Sequence, residues 1–195
     1  MRSIICPPSL RKGDIIGIVC PAGYMPAENT LACRQTLEKW GFGVQLGTTV
    51  GHQFHYFSGT DAERLADMQQ MLDNPNIKAI LCGRGGYGCT RIIDQINWKK
   101  FKKNPKWIIG FSDITIFHSY LYTQLHTASI HGPMANAFNN GGADGLYVPS
   151  LRKALTGKAS NFKIPAHGAN KKGTATGRLL GGNLSLLAHQ VGTPS

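Results

Sequence analysis

The 195-residue sequence predicts an α/β fold, a parallel sheet with helices on both faces, and three observations carry that reading. Short apolar runs alternate with segments of helical period at least four times within the first 140 residues. The apolar runs are nearly continuous, as in strands buried on both faces. Two of them end in unusual turns, one rich in glycine and one with serine at its apex, where such sheets bind ligands.

Asp14 to Cys20 (DIIGIVC) is the first strand, closed by Pro21-Ala22-Gly23. A helix follows with Cys33, Leu37 and Trp40 on one face and Gly41 as its C-terminal cap. Gly43 to Leu46 is the second strand. After a loop with His52 and His55, Thr60-Asp61-Ala62-Glu63 has capping-box spacing, with Leu65, Met68 and Leu72 as the apolar stripe behind it and Asn74-Pro75 as the stop. Ile77 to Cys82 is a strand, Gly83 to Gly88 a glycine-rich turn and Tyr87 to Ile96 a helix. Trp107 to Phe111 is a further strand, and Ile114, Phe117, Leu121 and Leu125 mark the helix after it.

Residues 1–140 therefore form one α/β domain. Glycine and proline punctuate residues 141–176, which read as a linker with a short helix around Ser150 to Leu155. Residues 177–195 begin a new apolar pattern, GRLLGGNLSLLAHQV, expected to be the truncated start of a second domain whose leucines lack a cover.

Five cysteines, odd in number and never in a CxxC pair, fit reduced thiols, so neither a disulfide framework nor a structural metal is expected. No run of 18 apolar residues and no signal-peptide pattern occurs, which makes the cytoplasm the expected address and excludes a membrane partner. The formal charge of +11 could attract nucleic acid. Its densest cluster, Lys99, Lys100, Lys102, Lys103 and Lys106, is interleaved with Trp98, Phe101 and Trp107, as in a short amphipathic helix. Without an RNP, zinc-finger or helix-turn-helix signature, no nucleic-acid partner is expected.

Ser112 stands in Trp107-Ile108-Ile109-Gly110-Phe111-Ser112-Asp113-Ile114-Thr115, a strand, turn and helix in the manner of a nucleophile elbow. The same serine could instead cap the helix, and Ile114 occupies the place of the second elbow glycine. Gly83-Arg84-Gly85-Gly86-Tyr87-Gly88 is formally GxGxxG. It follows the third strand, however, and no acid occurs from Gln95 to Ser112, so it does not read as a dinucleotide site. Glycines that admit a ligand to the backbone and Arg84 for a carboxylate remain. No cofactor is implied.

Leu10-Arg11-Lys12-Gly13-Asp14, Cys20-Pro21-Ala22-Gly23, Phe57-Ser58-Gly59-Thr60-Asp61-Ala62-Glu63-Arg64, the Gly83 to Gly88 turn, Ile109 to Thr115, His131-Gly132-Pro133-Met134 and Gly181-Gly182-Asn183-Leu184-Ser185 together resemble the LD-carboxypeptidase family of serine peptidases. The resemblance implies two α/β domains, possible homodimers and hydrolysis of an L,D-amide bond at the carboxyl end of a small peptide. The usual substrate is a murein tetrapeptide, from which D-alanine is released; a related branch inactivates microcin C. It implies Ser112 as nucleophile, the backbone N–H groups of Asp113 and Gly86 as oxyanion hole, and substrate binding by Arg84, Gly85 and Tyr87.

The family's triad also needs a glutamate and a histidine from its C-terminal domain. The three glutamates here, Glu28, Glu38 and Glu63, all precede Ser112, and the later histidines match no such position, so this chain is expected to be inactive alone. A non-catalytic muropeptide-binding module is the alternative. An α/β-hydrolase order of Ser112, Asp144 and His167 or His189 is a rival arrangement, His131 a candidate base, and His52-x-x-His55 an isolated metal pair.

Overall fold

In the computed structural model, which describes residues 3–139 and 141–194, five strands make one wholly parallel sheet. They are β1 (Ile15–Val19), β2 (Gly43–Leu46), β3 (Ile77–Cys82), β4 (Trp107–Gly110) and β5 (Ile130–His131), in the order β2-β1-β3-β4-β5. The chain moves outward from β1 in one direction and from β3 in the other. The adjoining carboxyl ends of β1 and β3 are therefore the topological switch point, where a crevice opens.

Side chains leave alternate faces of each strand and meet a helical layer on either side. Ile16, Ile18, Ala79, Leu81 and Ile109 pack with Cys33 and Leu37 of α1 (Leu31–Lys39) and with Val148, Leu151 and Leu155 of α6 (Tyr147–Leu155). Val19, Ile80, Cys82 and Ile108 face the other layer. That layer holds Met68, Met71 and Leu72 of α2 (Asp61–Asp73), Ile92 of α3 (Cys89–Ile92), Phe101 of α4 (Lys99–Lys103) and Phe117 and Leu121 of α5 (Thr115–Thr123).

The capping box forms as expected: the Thr60 side chain accepts from Glu63 N–H while Glu63 reaches back to Thr60 N–H. The helix expected over Tyr87 to Ile96 is shorter. Gly88 adopts φ 141°, a conformation no α-helix contains, so α3 begins at Cys89 and passes into a 3₁₀ turn at Ile93. In the lysine cluster, Phe101 has no exposed surface and Trp98 stacks on Tyr120 with centroids 5.3 Å apart, so neither ring is presented to solvent. Lys106 is buried and donates to the carbonyls of Met71 (3.1 Å) and Asn74 (2.7 Å) at the end of α2; burial pushes its ammonium down to about 8.

The stretch read as linker contains α6, which packs on the sheet through Val148, Leu151 and Leu155. Between residues 158 and 183 no helix or strand occurs. The chain then returns to α5: Asn183 N–H donates to Thr115 Oγ1 (2.9 Å), and α7 (Leu184–His189) lays Leu186 against the core. Leu186 is thus partly covered, while Leu179, Leu180 and Leu184 stay exposed. None of the described helices is long and apolar enough to cross a membrane.

Thr60→Ala removes the acceptor for an otherwise unpaired helix-end amide. It is expected to lower stability by about 1 kcal/mol in urea denaturation without changing the slope.

Candidate active site

Ser112 sits at the carboxyl end of β4 with φ 59°, a left-handed conformation that a serine rarely adopts. The neighbouring residues make room for it. A methyl group on Gly110 would lie 2.7 Å from Ile114 Cγ1, so Ile114 fills the space its glycine partner leaves open, and the turn tolerates Ile114 where an elbow usually has glycine. The chain tightens immediately into a 3₁₀ turn (Ser112–Ile114) and then α5. Among the described residues, no helix end here is capped by a side chain, which removes the capping role considered for Ser112.

The glycine turn after β3 lies directly against this serine. A Cβ on Gly85 would stand 3.0 Å from Ser112 Cβ, 3.2 Å from its Oγ and 3.5 Å from Asp113 N. Gly85 O in turn accepts from Gly23 N–H (3.0 Å), bringing the turn after β1 to the same place. Gly86 follows with φ 112°, exposed, beside the Tyr56 hydroxyl. A cleft of about 290 Å³ opens here, lined by Arg84, Gly85, Gly86, Phe111, Ser112, Met134, Asn136 and Ala137.

The expected site residues divide accordingly. Ser112, Gly85, Gly86 and Arg84 share the cleft, and Arg84 is steadied by donating to Tyr24 O (2.9 Å). Tyr87 instead packs on Phe57, centroids 6.2 Å apart, outside the cleft lining. Phe111, Met134, Asn136 and Ala137 were missed as lining residues. The His131 to Met134 motif was the only sequence signal near the last three. Asn136 N–H donates to Gly83 O (3.2 Å), a contact between segments 53 positions apart that no local pattern announces.

Asp113 is buried, and its Oδ2 accepts from Cys89 N–H (2.9 Å). Burial raises its carboxyl above the usual range, partly countered by the hydrogen bonds from Cys89 and by the charge of Arg64. His118 is buried between the Gly110 carbonyl (Nε2, 2.9 Å) and the Ser129 hydroxyl (Nδ1, 2.8 Å). The carbonyl can only accept, so Nε2 carries the proton and Nδ1 accepts from Ser129. Burial pushes His118 down to about 4. His131, at the end of β5, is exposed and stacks on His118 with centroids 5.8 Å apart.

The rival arrangements do not assemble. Asp144 and His167 are exposed and absent from the cleft lining, and His189 lines a separate hollow with Thr90, Ile93 and Tyr120. His52 lies 3.8 Å from Glu63 while His55 packs edge-on against Phe54, so the pair faces different partners.

Residues 16–132 match the model of the LD-carboxypeptidase N-terminal domain. This chain belongs to the LD-carboxypeptidase family. It is 30% identical over 190 residues to a murein tetrapeptide carboxypeptidase of Pseudomonas aeruginosa, an alignment covering 91% of this chain and 60% of that protein. It is 30% identical over 127 residues to the microcin C7 self-immunity protein of Escherichia coli, covering 64% and 37% of the two. The crystal structure of a muramoyltetrapeptide carboxypeptidase from Oxalobacter formigenes superposes with a TM-score of 0.78 at 29% identity, covering 92% of this chain and 60% of that one. The LD-carboxypeptidase chain described here thus spans 60% of the length of the first and third of these.

The neutral state of His118 has a pH signature. Its folded value, about 4, lies below the ordinary 6.5, so the unfolded chain takes up the proton first as pH falls. Stability from this group is intact above about pH 6.5 and declines toward pH 4. We expect a loss of about 2 kcal/mol between pH 7 and pH 5, absent in His118→Gln, when urea denaturation is compared at the two pH values.

Proposed function

We propose that this chain carries the nucleophile and oxyanion hole of a serine carboxypeptidase that cleaves an L,D-amide bond at the carboxyl end of a small cytoplasmic peptide. The relatives' names point to a murein tetrapeptide, with D-alanine as the product. The observation that carries the reading is Ser112 at φ 59°, held out of the sheet beside Gly85 and the Asp113 amide.

In this reading Ser112 Oγ attacks the scissile carbonyl, and the N–H groups of Asp113 and Gly86 hold the negative charge that develops on its oxygen. The amine leaves with a proton, and water hydrolyses the acyl-enzyme. Arg84, fixed over the cleft, takes the substrate's terminal carboxylate.

The attack needs a base, and His118 is unsuited: both ring nitrogens are engaged and burial disfavours its protonated form. Every glutamate of the sequence precedes Ser112. His131, the other candidate, stacks on His118 and is absent from the cleft lining. In this reading the base and its carboxylate are supplied by a segment beyond these 195 residues, which by themselves bind peptide without turning it over. The same two observations favour a second reading, a muropeptide-binding module without catalysis. D-alanine release by a longer chain that supplies a histidine and a glutamate separates the two.

In such a longer chain Ser112→Ala is expected to lower kcat at least ~10³-fold with the fold intact, and a fluorophosphonate should label the parent but not the variant. Activity equal to the parent would remove Ser112 from the mechanism. Gly86→Val forces a β-branched side chain into φ 112° and against Tyr56, so activity should vanish while circular dichroism stays unchanged. Hydrolysis within a few-fold of the parent would place the oxyanion donor elsewhere.

A further inference from the structure

Two buried charges meet on one peptide group. Arg64 has no exposed surface, and its Nη1 donates to Gly88 O (3.0 Å); the next amide along, Cys89 N–H, donates to Asp113 Oδ2 (2.9 Å). The Gly88–Cys89 peptide is therefore held by a cation at its carbonyl end and an anion at its N–H end, the orientation its dipole favours. Away from water each hydrogen bond polarises the other.

The surroundings are built for this arrangement. Gly88 has φ 141°, and a Cβ there would lie 2.6 Å from Arg64 Nη1, so only glycine lets the guanidinium reach the carbonyl. Among the described residues, Asp113 Oδ1 has no hydrogen-bond partner, which leaves the amide and thiol of Cys89 and the field of Arg64 to compensate this buried carboxylate. The flanking Cys82 and Cys89 thiols are kept neutral by burial and add no competing charge.

We propose that Arg64 and Asp113 act as one positioning device that sets the glycine turn carrying Gly86 against the turn carrying Ser112. Gly86 lies two residues before the gripped peptide, and Asp113 directly follows the serine. The device thus joins the two oxyanion donors by a short covalent path. Its catalytic meaning rests on the assignment of Ser112 above, while its geometry does not.

Hydrogen exchange of residues 1–195, read at single amides by mass spectrometry, tests it without any hydrolysis. In Asp113→Ala the Cys89 amide and the Gly23 amide, which donates to Gly85 O of the glycine turn, should exchange about tenfold faster or more, while the amides of β4 keep their protection. Asp113→Asn, which retains an acceptor oxygen, should restore most of the protection at Cys89. Arg64→Met should loosen the Cys89 and Gly23 amides likewise, and the double variant should add little to either single change. Cys89 and Gly23 amides within about twofold of the parent in folded Asp113→Ala, or fully additive effects, would overturn the proposal. If those variants do not fold, Arg64→Lys keeps the charge but loses the fork: faster exchange at Cys89 supports the device, and unchanged exchange refutes it. Failure of a longer chain to release D-alanine would instead count against the assignment of Ser112 and leave this test untouched.

Discussion

A guanidinium cannot be buried alone, and the burial of Arg64 organises the loops around the cleft. Its donors reach the carbonyls of Pro21 (2.5 Å) after β1, Gly59 (3.3 Å) before α2 and Gly88 (3.0 Å) after β3, and it also pairs with Asp61. Each carbonyl comes from a different turn, so satisfying one charge brings three turns into register. The Phe57 ring lies 4.8 Å below the guanidinium and closes the remaining side. Asp67 acts similarly on the neighbouring loop. Its buried carboxylate accepts from the amides of Thr48 and Thr49, and Thr49 Oγ1 accepts from Cys20 N–H. The polar residues of α2 thus shape the site although none of them lines it.

That scaffold makes the backbone at Ser112 tolerable. A left-handed serine costs on the order of 1 kcal/mol or more and persists only where its surroundings impose it. Gly110, Gly85 and Ile114 impose it sterically, and His118 imposes it from behind by donating to the Gly110 carbonyl, which also accepts from Gly132 N–H. The elbow is therefore tied to β5 and α5 as well as to its own strand. Because His118 must stay neutral to accept from Ser129, the residue that stabilises the turn is removed from acid–base work.

The return of the chain to α5 links the last described segment to the same helix. Asn183 N–H donates to Thr115 Oγ1, one turn below Ser112, and α7 covers part of the outer face of α5. α7 is consequently registered against the helix that follows the serine turn.

Local pattern alone determined the strand and helix order, the capping box at Thr60, the end of α2 at Asn74 and the special character of Ser112 and of the Gly83 to Gly88 turn. These features are written in residues close in sequence: continuous apolar runs, hydrogen-bonding caps and glycines. The early start assigned to α3 failed, and the packing of α6 on the sheet went unforeseen, because tertiary contacts decided both. Arg64 claims the Gly88 carbonyl and holds that glycine out of a helix, and the sheet face under β1 and β3 needs Val148, Leu151 and Leu155 to cover it. The lining by Asn136, the turning of Tyr87 toward Phe57 and the meeting of Arg64 with Asp113 across one peptide were likewise settled only by the fold. Each joins segments tens of residues apart, and the free energy of desolvating a charge or closing a cleft belongs to the assembled surfaces, not to any stretch of sequence.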